Sequence, residues 1–242
     1  MSAEGVPAQR LEPGPTAVMG AMREEVERLE ASLAHPLPGG QGPFKWLSGE
    51  LEGRPVLLAE CGVGKVNAAA LTQALLAAGA GRLIFTGVAG AVDPALAVGD
   101  VVVSSDAVQH DVDVTGLGYQ PGEVPGSGHS WRADEALIAA ARDAASELQG
   151  LSVVVGRVAS GDTFVASQAA TERLRSAFGA ACTEMEGAAV AQVCHRWGVP
   201  FVIIRSISDS ADHAAEVDFR AFTREAAGNA EQVVRGLLRR LP

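Results

Sequence analysis

The chain has 242 residues, 48% of them hydrophobic, with a formal net charge of −10. That length and hydrophobic content allow a sizeable core and exclude global disorder. The charge argues against nucleic acid or an anionic membrane surface as the main partner, but is compatible with a small molecule held in a local pocket.

Residues 1–15 are crowded with Pro and Gly and contain no apolar signal core. They are expected to form a flexible extension ahead of one catalytic domain at 16–242. "TAVMG" (16–20) reads as a strand, and "MREEVERLEASLA" (22–34) as a helix with Val26, Leu29 and Leu33 at helical spacing. "PLPGGQGP" (36–43) reads as a loop. "FKWLSGEL" and "PVLLAEC" read as a hairpin about Gly53. A helix is expected at 65–79, ending at a glycine. Strands follow at 82–88 and 100–108, then a helix at 133–149 and a strand at 152–160. Helices are expected at 167–178 and 187–198, then a strand at 200–208 buried on both faces, and a last helix at 218–238.

Apolar strands alternating with helices predict an α/β domain, a twisted sheet covered by helices on both sides. The early hairpin makes that sheet mixed. The stretch 109–131 lacks periodicity and is rich in Gly and Pro, as functional or interface loops are. No run approaches the ~18 apolar residues of a membrane span, so no membrane partner is expected. Cys61, Cys182 and Cys194 form no CxxC pair, which suits a reduced, cytoplasmic compartment.

Three motifs fail on inspection. "ECGVGKVN" (60–67) lacks the first glycine and the Ser/Thr of a phosphate loop, and Asn67 fills the third glycine position of a dinucleotide fingerprint. Lys65 is expected on the surface at a helix start. His110-Asp111 and Cys194-His195 are too isolated to predict a metal site. No cofactor is expected.

Chemistry-bearing residues instead gather at strand ends, where open α/β sheets bind ligands. "GAMREE" follows the first strand. "VAGAV" follows "RLIFTG" and reads as a glycine-rich turn with free amides. "GDTFVAS" follows the strand at 152–160, then comes "TEMEG", and "ISDSADH" follows the last strand. Taken singly, each has a structural explanation. Glu24 and Glu25 suit a first helical turn, and Thr183 with Glu186 fits a capping box. Phe164 suits a core, Asp209 a turn, and Arg205 a buried ion pair. Their joint occurrence at five strand ends favours a site.

In these motifs, with "GVGKVNAAA" and "VGDVVVSSDAVQHDVDVTGLGYQPGEVPG", the chain resembles the 5′-methylthioadenosine/S-adenosylhomocysteine nucleosidases of the nucleoside phosphorylase fold. The resemblance spans residues 16–240 and implies a hydrolase that separates adenine from a 5′-thio-substituted ribose through a ribosyl cation. By motif match, Asp209 would protonate the purine, supported by Ser208, and Glu25 would activate water. Glu186 would grip the ribose hydroxyls, and Arg205 would orient water and carboxylates. Phe164 and the backbone of Val165 would hold adenine, with Met185 under the ribose and Ala89 and Gly90 beside it. Met22 and Phe219 would wall the alkylthio pocket. Glu184 would be structural, and Thr183 could still cap its helix.

The resemblance also implies a homodimer whose neighbour completes that pocket through Leu117 and Pro125. One departure is Val88, where the family usually carries a serine near the water and ribose. The valine side chain has no hydrogen-bonding group. The carboxylate of "GAMREE" would repel a phosphate dianion, so water is favoured over phosphorolysis. A futalosine-type nucleosidase and a non-catalytic nucleoside-binding protein are the alternatives.

Overall fold

The structure, a computed structural model, describes residues 14–211 and 215–241. The extension expected at 1–15 lies outside the described residues as far as position 13. The first strand, β1 (Thr16–Gly20), is buried along its whole length. It leads into α1 (Arg23–Ala31), which turns Val26 and Leu29 inward.

Residues expected as a loop form strand β2 (Ala34–Gln41), antiparallel to β3 (Phe44–Leu51). Pro36 and Pro38 masked it. Proline lacks the N–H of a ladder and is tolerated on an outer strand, and β2 lies at the end of the strand order. Strand β4 (Arg54–Glu60) closes the hairpin, and α2 (Lys65–Ala77) returns the chain to the sheet.

β5 (Arg82–Ala91) is the central strand and a second correction. The expected glycine-rich turn at 88–91 is extended chain. Its glycines mark close approaches. A Cβ on Gly87 would lie 2.3 Å from both Glu25 Oε1 and Arg205 Nη1, and one on Gly90 would lie 2.8 Å from Asp209 Oδ1.

β6 (Val101–Gln109) is followed by the aperiodic stretch, which holds a 3-10 turn at Thr115–Leu117 and the short strand β7 (Trp131–Arg132). Next come α3 (Glu135–Ala145), β8 (Val153–Ser160) and α4 (Gln168–Phe178). The unexpected strand β9 (Ala180–Glu184) precedes α5 (Gly187–Trp197), and β10 (Phe201–Asp209) leads to α6 (Ala215–Arg240). β10 is buried at all nine positions, as its apolar run predicts.

The strand order is β10-β6-β8-β9-β5-β1-β4-β3-β2, and β10 also pairs with β5. Strands β5, β10, β6, β8 and β9 therefore close a ring. β5 pairs with β1 up to Phe85; beyond that point β9 takes over at Gly90 and Ala91. Helices α1 and α3 each pack on α6, which lies against β5 and β10, while α2 and α5 pack as a second group. Among the described residues no helix is long and apolar enough to cross a membrane.

Candidate active site

A cleft of about 260 Å³ opens where the five predicted strand ends meet. The exit of β1 supplies Met22 and Glu25, and β5 supplies Val88, Ala89 and Gly90. The segment after β8 supplies Phe164 and Val165. Met185 and Glu186 come from the turn between β9 and α5, Ser208 and Asp209 from the end of β10, and Phe219 from α6. Residues separated by nearly two hundred positions thus share one cavity.

Glu25 sits in the third position of α1 and turns its carboxylate back over the helix start. Oε2 accepts from the amides of Ala21 at 2.7 Å and Met22 at 2.9 Å, and Oε1 accepts from Val88 at 2.9 Å. The Val88 amide, expected free, is therefore engaged. Burial pushes the Glu25 carboxyl up, against the pull of Arg205 and the three amides. A base raised toward the working pH is a stronger proton acceptor.

Arg205 lies 1% exposed inside β10, with its guanidinium carbon 4.1 Å from the centroid of the Phe85 ring. Nη2 donates to Glu184 Oε2 at 2.5 Å. Burial pulls its pKa down, but the charges of Glu184, Glu25 and Glu186 more than offset this and push it up. Nε and Nη1 have no hydrogen-bond partner in the protein, and Nη1 crowds the same side of Gly87 as the Glu25 carboxylate.

Thr183 does not cap α5. It lies in β9 and donates to the carbonyl of Ala159 at 3.0 Å. Glu184 takes that task, accepting from Gly187 N at 2.8 Å and Glu186 N at 3.3 Å, as well as from Ser160 Oγ. Glu186 occupies the N-cap position but makes no side-chain cap. Its Oε1 instead accepts from Gly64 N at 2.7 Å. Burial first, and the charge of Glu184 second, push its carboxyl up to about 8.

Asp209 is buried, and its Oδ2 accepts from Ser208 Oγ at 2.8 Å while Oδ1 accepts from Ala211 N at 2.9 Å. These bonds fix the carboxyl at the lip of β10, beside Gly90. Val88 clusters with Ala226, Ala227, Met22 and Phe219. Phe164 meets Phe219 edge to face, with centroids 5.7 Å apart.

Three named residues do not line the cleft: Arg205, buried and paired with Glu184, and two that stand apart from it. Leu117 is 77% exposed, Pro125 is exposed, and neither lines the cleft. The surface reading of Lys65 is corrected, because its Nζ pairs with Asp111 at 2.6 Å and its side chain is 15% exposed. Sequence reasoning also missed Gly64, whose signal was the glycine before a helix. Its φ of 103° is open to glycine and aims its amide at Glu186. Among the described residues no three His, Cys, Asp or Glu side chains gather to hold a metal.

The sequence pattern of the phosphorylase superfamily matches residues 15–239. The 5′-methylthioadenosine/S-adenosylhomocysteine nucleosidase of Anoxybacillus flavithermus is 41% identical over 227 residues, covering 93% of this chain and 98% of that one. The structure of the nucleosidase of the same name from Neisseria meningitidis, in complex with methylthio-immucillin-A, superposes with a TM-score of 0.90 at 40% identity. It covers 94% of this chain and 100% of that one. Futalosine hydrolase of Helicobacter pylori superposes with a TM-score of 0.89 at 35% identity, over 95% of this chain and 99% of its own. The chain belongs to the phosphorylase superfamily and, within it, to the 5′-methylthioadenosine/S-adenosylhomocysteine nucleosidase family.

Proposed function

We propose that the protein hydrolyses 5′-methylthioadenosine and S-adenosylhomocysteine to adenine and the corresponding thio-ribose. The observation that carries the choice of water as nucleophile is the Glu25 carboxylate. It fills the amides of Ala21, Met22 and Val88 at the floor of the cleft. A phosphate dianion needs such donors, and here they are already spent on an internal anion that would repel it.

The placement supports the following chemistry. Asp209, carrying a proton, donates it to the five-membered ring of the purine as the bond from the sugar to that ring breaks. The adenine leaves neutral. Positive charge builds on the ribose, and Glu186 binds the hydroxyls and, ionising as that charge develops, opposes it. Glu25 takes a proton from water while the oxygen bonds to the anomeric carbon. The spare donors of Arg205 help hold that water, a task in which Val88 has no part. Phe164 and Val165 hold the base, and Met22, Val88 and Phe219 give the thioether an apolar wall, which suits a polarisable sulfur.

Leu117 and Pro125 belong to this reading as contributions to a second subunit's cleft. Their exposure in the single chain suits that role, and a homodimer is the assembly it requires. Three free cysteines suit a cytoplasmic enzyme of methionine salvage.

The test is adenine release from a panel of methylthioadenosine, S-adenosylhomocysteine and futalosine. Turnover of the two thio-nucleosides above the third supports the reading. Preferential turnover of futalosine would transfer the protein to the activity of its Helicobacter neighbour, and tight binding without base release would make it a sensor.

A further inference from the structure

The stretch that imitates a phosphate loop binds carboxylates instead. Gly64 and Lys65 open α2, and their consecutive amides point outward, as the first amides of a helix do. Gly64 N donates to Glu186 Oε1 at 2.7 Å, and Lys65 N donates to Asp162 Oδ1 at 2.8 Å. One helix end therefore grips a cleft residue on one side and the segment that carries Phe164 on the other.

A closed ring of bonds secures this end. Lys65 Nζ meets Asp111 Oδ1 at 2.6 Å, Asp111 Oδ2 accepts from Asp162 N at 2.9 Å, and Asp162 Oδ1 returns to Lys65 N. Lys65 Nζ also donates to Gln109 Oε1 at 3.0 Å, and Gln109 donates in turn to Gln192 on α5, the helix that begins after Glu186. The ring thus ties together the start of α2, the end of β6, the segment after β8 and α5. It is only partly buried, with side-chain exposures of 15% for Lys65 and 27% for Asp111. Lys65 Nζ and the Asp162 amide hold Asp111 in its charged form, since these bonds outweigh the cost of burial and lower its pKa.

We propose that Lys65 and Asp111 are positioning residues for nucleoside binding. Together they fix the 162–165 segment and the Gly64 amide, so that Phe164 and Glu186 present themselves to the substrate in one arrangement. The proposal rests on the nucleosidase reading above. Neither side chain lines the cleft, so each acts through Asp162 and Gly64.

The experiment measures KM and kcat for methylthioadenosine with the parent, Lys65→Met, Asp111→Asn and the double variant. Loss of the clamp is expected to raise KM about tenfold in each single variant with kcat changed less than about threefold. The double variant should be no worse than the singles, because both changes open the same ring. KM within about twofold of the parent in either single variant, or factors that multiply in the double, overturns the proposal. A variant that does not fold is replaced by Lys65→Gln or Asp111→Ser, judged by the same KM limits. A parent that releases no adenine defeats the nucleosidase reading itself, whereas an active parent with unchanged variants defeats the clamp alone.

Discussion

Replacing Glu186 by Gln removes a titrating carboxyl from a cleft that also holds Glu25 and Glu184. In the folded protein the Glu186 carboxyl is raised from 4.5 to about 8, chiefly by burial and then by Glu184. A raised acid holds its proton in the folded state and loses it in the unfolded one, so stability is fully present below 4.5 and is lost as pH rises through about 8. Gln mimics the protonated acid at every pH, and its Oε1 can still accept from Gly64. The variant is therefore more stable than the parent by a margin that grows from about pH 5 to about pH 9 and is on the order of 3 kcal/mol near neutral pH. For a domain of this size about 3 kcal/mol raises Tm by roughly 6–12 °C. Thermal melts of both proteins without ligand, across that pH range and at equal concentration, measure the effect. The same variant is expected to lose turnover, since an amide cannot oppose a ribosyl cation, so it trades activity for stability. A Tm gain that does not grow with pH, or a loss of stability at neutral pH, refutes the reasoning.

Asp209→Asn should cut kcat by about 10²–10⁴ while methylthioadenosine still binds, as calorimetry on the variant can check. Gly87→Ala should destabilise by about 1–3 kcal/mol and depress kcat, because its Cβ would lie 2.3 Å from both Glu25 and Arg205; an unchanged melt would contradict the packing. His110 is buried against Gly161, its Nε2 has no partner, and burial lowers its pKa. Its contribution is thus present above the ordinary value of 6.5 and lost as pH falls below it, so His110→Asn should lose less stability than the parent on acidification; equal pH slopes would contradict this.

Much of the site was legible because the strands that carry it are apolar throughout. The run before Arg205 could only be a buried strand, and Ser208 and Asp209 had to lie at its end. The same logic placed Glu25 after β1. What escaped was local detail under tertiary control. β2 was hidden by its prolines, which an edge position tolerates. β9 is five residues long and falls between two helices, too short to show a period. Its formation decided the capping question, since a Thr183 committed to a strand cannot cap α5. Glu184, one position on, could reach both the helix amides and Arg205. In β5, glycines that suggested a turn were required by side chains arriving from α1 and β10, which only the folded chain brings near. Lys65 looked like a surface residue because its partner, Asp111, lies 46 positions away.

An internal carboxylate occupies the donors a phosphate would need, which leaves water to attack. Adenine release from methylthioadenosine in phosphate-free buffer, repeated with added phosphate and followed by phosphorus NMR for sugar phosphates, addresses this directly. Equal rates in both, and no sugar phosphate, are expected. A rate that depends on phosphate, with a ribose 1-phosphate as product, would contradict it.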